Sequence, residues 1–310
     1  MASLEGRVRL ARRVLLAGAV ALAPLLAFSG AAVNGQQGKL DVLRIGSSGT
    51  LNPSGGKQDE KSSLDTLKAF IKDETGLDSE IERLKTWQEL LDKMAKGQLQ
   101  VGVFQGFEYA YAQEKHPDLK PLAVSVNVYV YPVVYVVTGR DNKAKDFAGL
   151  QGQSLALLAD SPGYVRLFID RQCEAAGKKT DAFFSKIETR DNYEVALDDA
   201  VDGVVAAAAA DRAALDAFKR RKPGRFNKLK PVAQSQPLPP AVVAYYGNHL
   251  DEATRKQFRK GLLEAANKEK GQTMLTLFRL TGFQEPPADF EKVLADTRAA
   301  YPPKADGKSK

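Results

Sequence analysis

From residue 39 onward, short apolar runs alternate with segments whose apolar residues recur every three to four positions. That rhythm constrains the fold more than any other feature. A run of four to seven residues is too short for a buried helix, and a 3.6-residue period cannot present one face of a strand. Leu40 to Ile45, Ile81 to Leu84 and Leu99 to Phe104 read as strands. Between and after them lie helical patterns: Leu64, Leu67, Phe70 and Ile71; then Trp87, Leu90, Leu91 and Met94; then Phe107 to Glu114. Ser62 with Asp65 and Thr86 with Glu89 have the spacing of N-terminal capping pairs, and Gly76 and Gly97 mark helix ends. Strands joined by helices form a mostly parallel sheet covered on both faces. In such sheets ligands gather beyond the carboxyl ends of the strands.

The rhythm breaks twice. "LAVSVNVYVYPVVYVVTGR" (122–140) has no room for a crossover helix and reads as two extended segments, the second unusually long. After it the alternation restarts: strand 154–158, helix 163–176, strand 186–189, helix 192–201 with Val195, Leu197 and Val201 inward, strand 204–210, and helix 212–221 capped by Asp211. Pro237 to Tyr246 is a second extended crossing, and helices at about 251–267, 271–280 and 287–299 complete the chain. Two crossings predict a discontinuous first lobe, 39–136 plus 242–300, and an inserted second lobe, 137–241, around a hinged cleft. Residues 301–310 read as a disordered tail.

Composition excludes several classes. With 44% hydrophobic and 27% charged residues, the chain is globular in type. Arg7, Arg9, Arg12 and Arg13, then an apolar run from Val14 to Phe28 interrupted by Pro24, then Ser29 to Ala32, form the pattern of a cleavable signal peptide ending near residue 31. An extracytoplasmic location follows as the expectation. Loss of Glu5 and four arginines with that segment lowers the net charge from +7 to +4. The remaining basic residues are scattered apart from Lys219 to Lys222, which sit at a helix end where they complement its dipole without an aromatic stacking platform, so no nucleic-acid partner is expected. Cys173 is the sole cysteine and sits in an apolar helix pattern, as a buried small hydrophobe does. His116 and His249 stand far apart, so neither a metal site nor a cofactor site is expected.

Site candidates lie at the strand ends and in the first crossing. They are Ser47, Ser48 and Thr50; Phe104, Gln105, Phe107 and Tyr109; Tyr131; Asp160, Ser161, Gly163 and Tyr164; and Asn192 with Tyr193. Each also has an ordinary reading as turn, core, hinge packing or helix cap. Glu108 reads as a solvated first-turn residue. The turn at 160–163 joins a strand to a helix and is built like an anion cradle.

The order of these pieces resembles the extracytoplasmic solute-binding proteins of ABC importers, in the phosphate/phosphite/phosphonate family. "LRIG" (43–46), "GQLQVGVFQGFEYAYA" (97–112), "DFAGLQGQSLALLADSPGY" (146–164) and the stretch from Pro237 to Ala265 carry the resemblance. It implies a two-lobe Venus flytrap fold with mixed, mostly parallel sheets and two hinge crossings. It also implies a non-enzymatic, monomeric receptor that delivers a small polar solute to a membrane permease. A sensor for another ligand and an enzyme on the same fold are the alternatives. In the family, hydroxyls and N–H groups at the second-lobe turn hold phosphonate oxygens. Here Ser161 and Gly163 match that turn, Asp160 replaces a neutral hydroxyl residue, and Pro162 removes one donor. Asn192 stands where the family has a histidine, and the family's acidic residue on the next strand falls in Ala206 to Ala210. Two unit charges ~4 Å apart interact by about 4 kcal/mol at an effective dielectric of 20. Asp160 is therefore expected either to turn aside from a dianion or to meet a ligand amine or hydroxyl.

Overall fold

The computed structural model describes residues 40–48 and 57–303. The expected signal peptide, Thr50 and residues 304–310 of the expected tail lie outside them. The elements run β1 (Val42–Ser48), α1 (Lys57–Thr75), β2 (Asp78–Leu84), α2 (Trp87–Ala95), β3 (Val101–Phe104), α3 (Gly106–Lys115) and β4 (Leu119–Val126). After the first crossing come β5 (Val134–Gly139), β6 (Ser154–Leu158), α4 (Gly163–Ala175), α5 (Thr180–Phe183), β7 (Lys186–Arg190), α6 (Tyr193–Asp202), β8 (Ala207–Asp211), α7 (Arg212–Arg221), α8 (Pro223–Phe226) and β9 (Leu229–Gln234). The chain then returns through β10 (Val242–Tyr246), α9 (Glu252–Glu264), α10 (Glu269–Leu277), β11 (Gly282–Gln284) and α11 (Phe290–Ala300).

The strands form two sheets, ordered β11-β4-β10-β3-β1-β2 and β7-β6-β8-β5-β9. In the first, β2, β1 and β3 are parallel, and β10 enters antiparallel between β3 and β4. In the second, β7, β6 and β8 are parallel, and β5 enters antiparallel between β8 and β9. In each sheet the strand arriving from the other half runs against the parallel strands, and in the first sheet the edge strand β11 also runs antiparallel to β4. Cores lie on both faces of both sheets. Leu90, Met94, Phe104 and Tyr109 pack on one side of the first, and Ile45, Phe70, Val101 and Phe258 on the other. Burial of such side chains, at roughly 25 cal/mol per Å² of apolar surface, is what holds each sheet to its helices.

The two crossings lie side by side. Leu238 N–H donates to the Pro132 carbonyl at 2.9 Å, and Ser235 N–H to the Val134 carbonyl at 2.9 Å. The second crossing presses on α3. A Cβ added at Gly106 would stand 2.0 Å from the Pro239 carbonyl oxygen and 2.4 Å from that of Pro240, so only glycine fits there. The C-terminal segment makes a third link. Tyr111 of α3 donates to the Tyr301 carbonyl, Arg171 of α4 donates to that of Pro302, and the Tyr301 ring packs into the core of the second sheet.

Several expectations need correction. The first crossing does form two extended segments, but the second is not a long strand: β5 has six residues, and the chain is irregular over 127–133, where Val128 adopts φ 62° and Asn127 bridges Tyr129. β5 already pairs with β8 from Val134, so a division at residue 136 would cut a paired strand. Tyr301 is buried, so an unstructured tail cannot begin there. α1 starts at Lys57, which makes Ser62 an interior residue whose carbonyl accepts from the Thr66 hydroxyl. Val195 faces outward at 42% exposure and Val201 is only partly buried, because α6 packs through Ala196, Leu197 and Ala200. β8 begins at Ala207, and Val204 is 62% exposed.

Candidate functional site

A cleft of about 420 Å³ opens between the two sheets. The first half supplies Gln105, Ser125, Ala241, Phe278, Arg279 and Leu280 to its walls. The crossings add Asn127, Tyr129, Val130, Pro132 and Pro240. The second half supplies 158–164, Arg166, Tyr193, Asp211, Arg212 and Ala213.

The turn after β6 carries most of the second wall. Ser161 N–H donates to the Leu158 carbonyl at 3.0 Å, and its hydroxyl donates to the same carbonyl at 2.7 Å. Pro162, not Ser161, is the N-cap of α4, and its ring cannot supply an N–H. The first-turn N–H groups of Gly163 and Tyr164 have no intrahelical acceptor and face the cleft end of the helix. Asp160 is exposed at the mouth, with no hydrogen bond or ion pair among the described residues.

Behind this turn, the Tyr164 hydroxyl donates to Asp211 Oδ2 at 2.8 Å, and Asp211 Oδ1 accepts from Ala214 N–H at 2.8 Å. Both carboxylate oxygens are thereby bonded. Burial, with the Asp211 charge beside it, pushes the Tyr164 pKa well above its ordinary 10.0. The acidic contact expected to be lost in the alanine run therefore has a near neighbour. The alanines end at Asp211, the last residue of β8, and it lines the cleft. Tyr193, at the start of α6, is also raised well above 10.0, chiefly by burial, then by Asp211 and against an opposing pull from Arg279. Its hydroxyl is buried with no hydrogen-bond partner among the described residues.

Of the expected site residues, Gln105, Asp160, Ser161, Gly163, Tyr164 and Tyr193 meet in the cleft. Phe104 and Tyr109 do not. Both are fully buried, packed edge to face, and the Tyr109 hydroxyl donates to the Leu119 carbonyl at 3.3 Å. Phe107 lies beside the cleft, near Gly163, where an added Cβ would stand 3.3 Å from its ring. Ser48 points inward, its hydroxyl donating to Glu108 Oε2 at 2.6 Å, and Ser47 lines a separate apolar recess of about 190 Å³. Glu108 is buried, 5% exposed, and also accepts from Gln105 N–H at 3.1 Å; it is not a solvated residue. Tyr131 packs at the hinge and donates to Asp289 at 2.7 Å, and burial raises its pKa. Asn192 is committed as the cap of α6, accepting from Val195 N–H at 3.0 Å.

Three arginines were missed by the sequence reading: Arg166, Arg212 and Arg279. Arg166 donates to the Ala159 carbonyl at 3.2 Å. The Arg212 guanidinium lies over the Tyr129 ring, 4.2 Å from its centroid, and 3.7 Å from Asp216, which accepts the Tyr129 hydroxyl. Arg279 has no hydrogen bond or ion pair from its side chain among the described residues.

Residues 50–289 match the family model for the periplasmic substrate-binding protein of phosphonate ABC transporters. The chain belongs to that family. Phosphonate-family proteins are extracytoplasmic, bind small molecules and work with an ABC permease, and this chain is such a substrate-binding component. No curated protein sequence matches it. Among solved structures, it is similar to XAC2383 from Xanthomonas citri, solved with chloride: 16% identity, 84% of this chain and 98% of that one, TM-score 0.56. It is similar to PhnD1 of Prochlorococcus marinus in complex with methylphosphonate: 12% identity, 84% and 97% coverage, TM-score 0.55. A third is the binding component of an ABC phosphonate transporter from Pseudomonas aeruginosa, at 13% identity, 84% and 86% coverage, TM-score 0.53. These likenesses establish the two-lobe binding-protein fold of the family.

Proposed function

We propose that the chain is a non-catalytic, monomeric receptor exported by a cleavable signal peptide, residues 1–31. It closes its two lobes over a small phosphonate- or phosphate-like oxyanion. The hinge is formed by 127–133 and 235–241, with residues 40–126 and 242–300 as one lobe and 134–234 as the other. One observation carries the ligand class: three arginines from both halves, with the open start of α4, line a cleft in which Asp211 is already bonded on both oxygens and Asp160 stands exposed at the mouth. A helix start and guanidinium groups together favour an oxyanion. Ligand contacts from both lobes stabilise the closed state, which is what a permease would recognise. Membership of the phosphonate family and the methylphosphonate held by the Prochlorococcus protein support the same class. Asp160 tunes the site by repelling dianions or accepting from a ligand amine.

The test is a thermal-shift screen of the mature chain against phosphate, phosphite, methylphosphonate, aminoethylphosphonate, sulfate, amines and amino acids. A ligand at 100 times its Kd stabilises by about 2.7 kcal/mol, a shift of several degrees for a protein of this size. A phosphorus oxyanion is expected to produce it, and Asp160→Asn is expected to tighten methylphosphonate binding several-fold. A shift with amines or neutral solutes alone would overturn the oxyanion reading.

A further inference from the structure

The expected anion cradle has few donors left. The Ser161 hydroxyl is committed to Leu158, Pro162 has no N–H, and the Tyr164 hydroxyl is committed to Asp211. Of the three cleft arginines, Arg166 is bonded to a backbone carbonyl and Arg212 is held between Tyr129 and Asp216. A buried side-chain hydroxyl and an unbonded guanidinium remain in the cleft without partners among the described residues, one from each lobe. They are the buried Tyr193 hydroxyl and the Arg279 guanidinium. A buried hydroxyl without an acceptor is costly, and native structures rarely keep one without a use for it.

Arg279 is also held in an unusual way. Its φ is 53°, a left-handed conformation that disfavours side chains other than glycine, asparagine and aspartate. The turn is fixed on both sides. Arg279 N–H donates to the Thr276 carbonyl at 3.1 Å and Leu280 N–H to that of Leu275 at 2.8 Å. The Thr281 hydroxyl accepts from Val128 N–H at 3.0 Å and donates to the Val126 carbonyl at 3.1 Å. This ties the turn to the first crossing, where Val128 holds the other positive φ of a non-glycine residue among those described. Backbone strain of this kind persists where the surroundings enforce it, and it concentrates at binding sites. The same turn therefore aims Arg279 at the cleft and rides on the hinge.

We propose that Arg279 and the Tyr193 hydroxyl form a two-lobe clamp for the ligand's anionic head. The guanidinium donates from one lobe, and the phenol O–H donates from the other to a second oxygen. This inference rests on the oxyanion reading and names the residues that hold the charge. Arg279 and Tyr193 line the same cleft from opposite lobes. Closure shortens that gap, and an oxyanion between them gives the buried hydroxyl its missing acceptor. Because a guanidinium offers paired donors on a planar fork, lysine is a poor substitute.

Calorimetric titration of the mature chain with methylphosphonate and with inorganic phosphate tests the clamp. Arg279→Gln is expected to weaken whichever probe binds by tenfold or more, with an unchanged melting temperature in the absence of ligand. Arg279→Lys should recover part of that loss. Tyr193→Phe should weaken binding several-fold while leaving the unliganded melting temperature equal or higher, since it removes an orphaned hydroxyl. Binding by Arg279→Gln within twofold of the wild type would overturn the clamp and leave the oxyanion reading intact. A Tyr193→Phe protein with lower unliganded stability and unchanged affinity would also overturn it. Failure of the wild type to bind either probe would overturn the oxyanion reading itself, and the clamp with it.

Discussion

The two lobes are built on one plan and use it differently. Each orders its strands as second, first, third, incoming crossing strand, fourth. The strand-to-helix junctions that meet across the cleft, after β3 and after β6, have different fates. In the first lobe Ser48 turns inward to the buried Glu108, which also accepts the Gln105 N–H, and the prolines of the second crossing sit against Gly106. Most of that junction is taken up by assembly, with Gln105 left lining the cleft. In the second lobe the start of α4 stays open, with Asp160 exposed and Gly163 facing Gln105 and Phe107 of the other half. Two strand-to-helix junctions thus border one cleft, and side-chain bonding decides how much of each remains available.

The largest expected effect breaks this contrast directly. Gly106→Ala places a methyl group against two fixed backbone carbonyls and should destabilise by about 3 kcal/mol or more. Gly163→Ala meets side chains only, with Phe107 at 3.3 Å obliged to give by a few tenths of an ångström, and should cost about 1 kcal/mol. Denaturant midpoints of the two variants check this, and equal losses would show that the second junction is as closed as the first.

A middle-sized effect sharpens it. Glu108→Ala leaves the Ser48 hydroxyl and the Gln105 N–H without their shared acceptor and should cost about 2–3 kcal/mol. Ser161→Ala removes a local bond within one turn and should cost about 1 kcal/mol. The same denaturation series reads both.

The smallest effect is in pH. Tyr164 and Tyr193 line the open mouth with pKa values raised above 10.0 by burial. A raised pKa means that the folded state keeps protons the unfolded chain has released. Their contribution is therefore complete below about pH 10 and is lost as pH rises beyond it. Melting temperature should be insensitive to these groups from pH 7 to 9.5 and fall above pH 10, less steeply in Tyr193→Phe. Cys173 behaves similarly in the core of the same lobe. Burial pushes its thiol up to about 11, so thiol reagents should leave the folded chain unmodified at pH 8.

What the sequence made legible was whatever local rules govern. Thr86, Asn192 and Asp211 each accept a backbone N–H from three residues on, and Gly76 and Gly97 follow helix ends in left-handed conformations. The strand-to-helix alternation and the two crossings were likewise visible as periodicity and its absence. The side of a strand end on which a residue falls was not. Phe104 and Gln105 are adjacent, yet one enters the core and the other reaches the cleft. Val195 was misjudged because hydropathy outranked fit; the face of α6 against the alanine strand accommodates small residues instead. Arg279 left no signal at all. It sits in a short turn near the end of the chain, and only the return of that segment through β11 beside β4 brings it to the cleft.

The central claim is that an oxyanion is held between two lobes that close on it, and small-angle scattering of the mature chain tests this most directly. Radii of gyration would be compared without ligand and with saturating methylphosphonate, or with the phosphorus oxyanion that gives the largest thermal shift. The account predicts a smaller radius with the oxyanion present and no change with an unbound control solute. An unchanged radius, for an oxyanion whose binding calorimetry has established, would contradict closure between the lobes.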